Sequence, residues 1–260
     1  MEFIGGDISI YTILFIMAGG FLSGFIDSIA GGGGLISLPV LLTAGLPAHY
    51  AIGTNKFAAT FGSVMSATQF MRARKVDFHL VKRLMPFTFM GAACGAALMV
   101  YMSAEMLQPI IIGALILSAI FVMAKRDWGN INTYGGESKK TLYSWFAIAF
   151  AIGAYDGFIG PGTGTFLIVA FVMTGFDFVF AAGNAKMLNM MSNLTAFVLM
   201  IYWDKVLYVY GAAMAVSIFC GAYFGSRLAI RRGSGFVRIM LIVVTFTLIG
   251  KLVLNYAGLL

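Results

Sequence analysis

Lys56 and Lys186 stand in two otherwise apolar stretches, each about 30 residues after an aspartate, Asp27 for the first and Asp156 for the second. An ammonium at bilayer depth costs ~2.5–3.5 kcal/mol even on a lenient insertion scale, so two of them in matching contexts mark a polar site. Thr54, Asn55, Asn184, Asn189, Ser192 and Asn193 all lie within two helical turns of the lysines. Amide and hydroxyl donors beside ammonium groups suit an oxyanion such as a carboxylate, sulfite or sulfonate. The other reading is an internal ion pair, with each lysine neutralised by Asp27 or Asp156. Both hold together if an incoming anion competes with the carboxylate for the ammonium.

Each aspartate is followed by a glycine cluster, GGGG at Gly31–Gly34 and GPGTG at Gly160–Gly164. Backbone released where a helix breaks cannot stay bare in hydrocarbon, so these loops must face protein or a water-filled cavity. Helices starting just after Gly34 and Gly164 would aim free N–H groups and a positive dipole end at that cavity, which favours an anion. Tight helix packing is the alternative use of such glycines. The expected binding set is therefore Lys56, Lys186, Asn55 and Asn184 with the loop residues Gly33, Gly34, Gly162, Thr163 and Gly164. Asp27 and Asp156 are expected to cap released N–H groups or to exchange protons during transport, and Tyr155 is a candidate wall residue.

The elements that must position these residues are helical and membrane-embedded. The chain has 260 residues, 60% of them hydrophobic and 10% charged, with a mean hydropathy of +0.93, so a soluble globule would lack the polar surface to cover itself. The first apolar stretch comes after an acidic terminus and is not followed by a small-residue cleavage site, so it is read as a membrane segment rather than a signal peptide. Apolar runs give ten segments: 10–30, 34–45, 51–71, 84–102, 106–124, 142–160, 164–175, 178–202, 206–225 and 236–258. Segments 34–45 and 164–175 are too short for a ~30 Å hydrocarbon core and must be broken or re-entrant helices. The other eight read as full spans.

An internal repeat relates the two halves. The offset is 129 residues from Asp27 to Asp156 and 130 from Gly45 to Gly175 and from Lys56 to Lys186, as if one residue were inserted in the second glycine loop. Small-xxx-small pairs recur at Gly91/Gly95 and Gly221/Gly225, a spacing that allows close helix contact. Each half holds five segments, and an odd number of crossings turns the second upside down relative to the first. The expected organisation is thus an all-α integral membrane protein of two inverted repeats, 1–124 and 142–260, joined by a cytoplasmic linker at 125–141.

Thirteen of the 17 Lys/Arg fall between Arg72 and Arg83, Lys125 and Lys140, or Arg227 and Arg238, and excess positive charge marks cytoplasmic loops. Both termini are then expected in the periplasm, with little positive charge near Glu105 and at Trp203-Asp204-Lys205. Trp128, Trp145, Trp203, Tyr143, Tyr202 and Tyr208 fall near segment ends, as interfacial anchors would. The net charge of +7 reports orientation, and no nucleic acid partner is expected. Cys94 and Cys220 sit in small-residue runs where a thiol packs as a small hydrophobe. No CxxC, HExxH or clustered His/carboxylate motif occurs, so neither a metal nor another cofactor is expected.

The stretches GFIDSIAGGGGLISLPVL and GAYDGFIGPGTGTFLIVAF, with GTNK ending at Lys56 and GNAK ending at Lys186, resemble the sulfite exporter TauE/SafE family of bacterial anion permeases. The resemblance covers nearly the whole chain. It departs from strict symmetry in the second loop, which carries Pro161 and one extra residue, so the aspartates and lysines correspond better than individual loop positions. It implies a multi-pass bacterial inner-membrane protein that moves sulfite or organosulfonates such as sulfoacetate, as a secondary transporter working as an exporter. The expected partners are a small sulfur-containing anion and the lipid bilayer, with proton coupling and a homodimer left open. A passive anion channel shares every feature except coupling. A membrane-embedded enzyme is a weaker alternative, because Tyr155-Asp156 lacks the companion motif of an intramembrane aspartyl protease.

Overall fold

The computed structural model describes residues 9–123, 133–136 and 139–256. Glu2, Asp7, Trp128 and most of the 125–141 linker lie outside the described residues. Within them the secondary structure is entirely helical: α1 (Ile10–Ala30), α2 (Gly34–Thr43), α3 (Ala48–Arg72), α4 (Phe78–Tyr101), α5 (Ala104–Met123), α6 (Lys139–Phe158), α7 (Thr163–Met173), α8 (Phe178–Tyr202) and α9 (Tyr208–Tyr256). α9 breaks at Gly233, where φ is 77° and ψ −171°, so its two parts match the last two apolar segments. Helical hydrogen bonding does not stop where hydropathy does. α4 begins well before position 84 because Asp77 caps it, accepting from the N–H groups of His79 at 3.0 Å and Leu80 at 3.1 Å.

Ile10–Ala30, Phe78–Tyr101 and Tyr208–Val237 are long and apolar enough to cross a membrane by length and composition. α3 and α8 have 25 residues each and reach about 37 Å at the helical rise. Their buried faces carry lysine and amide groups among the apolar side chains. α2 with 10 residues and α7 with 11 extend about 15–17 Å, roughly half the hydrocarbon thickness. α2 starts at Gly34, where its apolar segment begins, and α7 at Thr163, one residue before the 164–175 segment.

The contacts of the two halves are reciprocal. Gly91 and Gly95 of α4 lie directly on the backbone of Phe150 and Ala154 in α6, and their counterparts Gly221 and Gly225 of α9 lie on Phe21 and Phe25 of α1. A Cβ at any of these glycines would overlap that backbone, so the small side chain is what sets the close approach. Residue numbers rise together along both pairs, so α1 runs parallel to the first part of α9 and α4 parallel to α6. α3 and α8 are antiparallel: Phe57 packs at a tilt against Phe197 with ring centroids 5.0 Å apart, and Phe70 meets Gly183.

Two apolar clusters form, one around Phe70, Trp145 and Phe171 and one around Leu38, Met99 and Met214. Along each central helix the clusters are separated by polar residues. α3 has Thr60, Ser63 and Ser66 between its two apolar patches, and α8 has Asn189, Ser192 and Asn193. Trp145 is not an interfacial anchor, because it is 1% exposed and stacks on Phe171 at 4.4 Å. Tyr143, Tyr202 and Tyr208 are exposed, as anchors would be. Cys94 and Cys220 are exposed free thiols rather than packing residues; the glycines of the same segments make the close contacts.

Candidate functional site

Lys56 lies two turns into α3, and its ammonium sits 2.7 Å from Asp156 Oδ1 near the end of α6, with the two side chains 1% and 2% exposed. It also donates to Asn193 Oδ1 at 3.3 Å. The second oxygen of Asp156 accepts from Asn189 Nδ2 at 3.2 Å and from the Ser192 hydroxyl. In the matching position of the other half, Lys186 of α8 donates to Asp27 Oδ2 at 2.7 Å, with the lysine fully buried and the aspartate 24% exposed. Asp27 Oδ1 accepts from the backbone N–H of Gly33 at 3.2 Å, so this aspartate caps its glycine loop as well as pairing a lysine. Sequence left open which aspartate serves which lysine. The structure crosses them, so each ion pair joins one half of the chain to the other.

The glycine loops cross at the same place. Gly31, in the left-handed conformation at φ 82°, lies against the backbone of Gly164, leaving no room for a Cβ on either residue. Thr165 seals the contact, its N–H donating to Gly31 O at 3.3 Å and its hydroxyl to Ala30 O at 2.8 Å. Pro161 packs near Gly34. Tyr155 braces the second loop through its hydroxyl to Pro161 O at 2.6 Å, and the Thr163 hydroxyl donates to Gly160 O at 2.8 Å.

Between the loops and α3 is a cavity of about 30 Å³, room for a water molecule or two and too small for a sulfonate group. Of the expected residues, Gly33, Gly34, Asn55, Lys56, Asp27, Asp156 and Gly164 line it. Lys186, Asn184, Gly162 and Thr163 do not, and Lys186 stands behind Asp27. Asn55 is 5% exposed and its Oδ1 has no hydrogen-bond partner, which is the condition of a buried polar group that a ligand or water satisfies. Ser23 and Ser37 also line the cavity, both donating to Gly33 O, at 2.8 and 3.1 Å. Sequence reading missed them, although each lies one helical turn from a flagged residue, Asp27 or Gly33. A larger cavity of about 490 Å³ lies between the α2–α3 and α8–α9 turns and contains neither ion pair.

Asn184 has a different position. Its Oδ1 accepts from the backbone N–H of Asp77 at 2.7 Å, and Thr54, its counterpart at the 130-residue offset, accepts from the N–H of Leu207 at 3.0 Å. Both tie a central helix to the turn of the opposite half. Asn184→Leu is expected to lower stability by about 1–3 kcal/mol by stranding the Asp77 N–H, with anion affinity changed less than twofold. Thermal unfolding and anion titration of the purified variant check this; a large affinity loss in a stable variant would make Asn184 a binding residue.

The model of the family described as sulfite exporter TauE/SafE matches residues 16–252. The chain is 35% identical over 250 residues to "Probable membrane transporter protein YfcA" of Escherichia coli, covering 95% of this chain and 90% of that one. It is 34% identical over 247 residues to "Probable membrane transporter protein ORF9" of Sinorhizobium sp, covering 93% and 92%. A more distant relative, "Probable membrane transporter protein YdhB" of Bacillus subtilis, is 24% identical over 220 residues, covering 84% and 88%. No solved structure matches the chain. With the paired aspartates, lysines and glycine loops assembled at one centre and the family match spanning nearly its full length, the chain belongs to the sulfite exporter TauE/SafE family.

Proposed function

We propose that this protein is a secondary transporter of small organosulfur anions, sulfite or organosulfonates such as sulfoacetate, and that it works as an exporter in a bacterial inner membrane. The observation that carries the reading is the buried Lys56 ammonium, held by Asp156, at the cavity where two broken helices meet. Substrate sites of secondary transporters are built at such breaks, near the midplane between inverted repeats. The reciprocal contacts fit a two-fold relation between the halves, and odd crossing parity would make it an inverted one. The ligands proposed for the anion are Lys56, the amide N–H group of Asn55 and the first turns of α2 and α7 at Gly34 and Gly164. Lys186 joins them once Asp27 releases it. A cavity of about 30 Å³ speaks for a carrier that must open to load, and against a standing pore. The family match and the transporter names of the relatives support transport over catalysis.

Flux of sulfite, sulfoacetate, taurine, sulfolactate and simple carboxylates into proteoliposomes tests this, with thermal shift of the purified protein as the binding readout. Saturable flux of a sulfur oxyanion is expected; the absence of flux and of any shift across the panel would overturn the reading. The proposed topology has its own check. With Cys94 and Cys220 replaced, a membrane-impermeant thiol reagent applied from the periplasm is expected to label a cysteine at Asp204 and spare one at Arg74. The reverse pattern would invert the assignment.

A further inference from the structure

We infer that the two equivalent aspartates have diverged, Asp156 serving as the fixed counter-ion of Lys56 while Asp27 takes up a proton as the anion binds. This rests on the anion-transport reading above and adds a coupling ion and its carrier. Asp156 is 2% exposed and both of its oxygens are engaged by side chains, Lys56 on one and Asn189 and Ser192 on the other. The counterparts of Asn189 and Ser192 at the 130-residue offset are Ala59 and Gly62, so nothing equivalent holds Asp27. That carboxylate is 24% exposed, lines the cavity, and has one ammonium and one backbone N–H at 3.2 Å as partners.

Charge balance gives the asymmetry a use. Lys56, Lys186, Asp27 and Asp156 sum to zero, so a bound sulfonate monoanion leaves the cluster with one uncompensated negative charge in a largely buried site. A proton taken from water onto the Asp27 carboxylate removes that charge and breaks the ion pair, and the Lys186 ammonium takes the anion as its new partner. No other bond is made or broken. On release, anion and proton leave to the same side, so each turnover of a monoanion is electroneutral and independent of the membrane potential. The charged groups facing Asp27 are Lys186 from α8 and, across the cavity, Lys56 from α3 and Asp156 from α6. α2 and α7 carry no charged residue, and α9 presents Ile218 to the cavity, its first basic residue, Arg227, donating to the Tyr223 hydroxyl.

The test uses methanesulfonate, which has no group titrating near neutral pH, and sulfoacetate with its carboxyl fully ionised. In proteoliposomes of the unaltered protein, an acid exterior is expected to drive accumulation of methanesulfonate by up to about tenfold per pH unit, the value for one proton per anion. Asp27→Asn is expected to keep a slowed anion exchange but to lose that accumulation, and Asp27→Glu to regain it. Independently of any variant, calorimetry in buffers of different ionisation enthalpy is expected to show one proton taken up per anion bound. Accumulation that survives in Asp27→Asn, or binding with no proton uptake, would overturn the inference while leaving anion transport intact. The absence of exchange and binding for both anions in the unaltered protein would overturn the transport reading, and this inference with it.

Discussion

Lys56→Gln is expected to abolish transport and to destabilise the protein by about 3–5 kcal/mol, the usual penalty for stripping one partner from a buried ion pair. Asp156 is 2% exposed, and without the ammonium its carboxylate keeps Asn189 and Ser192 as donors but loses its counter-charge. Neutralising both partners separates the two roles of the lysine. In the Lys56→Gln, Asp156→Asn double variant an amide pair replaces the ions, so most of the lost stability is expected to return. Transport is expected to stay at least tenfold below the unaltered protein, because the charge-assisted bond to the anion is gone. Unfolding and flux measured on the same preparations decide the matter, and a double variant with full transport would reduce Lys56 to a structural ion. The pairing to neutralise runs between halves: combining Lys56→Gln with Asp27→Asn would leave Asp156 and Lys186 each without its partner.

The second large effect is expected at Gly31. Its φ of 82° disfavours any residue with a Cβ, and that Cβ would fall on the backbone of Gly164 and Thr165 in the opposing loop. Gly45 has a similar φ of 89° and open space around it. Gly45→Ala is expected to lose only the conformational cost of about 1–2 kcal/mol. Gly31→Ala adds overpacking between two backbones that have no flexible side chain to move, another ~1–3 kcal/mol, and it displaces the loops that line the cavity. Transport is expected to fail in Gly31→Ala and persist in Gly45→Ala. Equal losses in thermal stability and flux for the two variants would mean that loop contact contributes nothing beyond backbone conformation.

Sequence by itself determined the helical membrane class and singled out the recurring Asp, Lys and glycine positions. Hydropathy, chain reach and the energetic penalty on buried charge are local properties, legible from residue type and spacing. Which aspartate pairs with which lysine was not legible, because a repeat places one Asp and one Lys in each half whether the pairs form within or across halves. Packing α3 against α8 in antiparallel order, with the glycine loops crossing at Gly31 and Gly164, decided for the crossed pairs. The two asparagines of the lysine motifs parted for a similar reason. A one-residue difference in register turns Asn55 toward the cavity and Asn184 toward the Asp77 turn, since neighbouring positions on a helix face about 100° apart. Trp145 likewise sits near a segment end, yet the facing of its helix buries it against Phe171. Spacing along the chain names the residues of a site; which of them meet is set by helix rotation and crossing, which only the tertiary packing fixes.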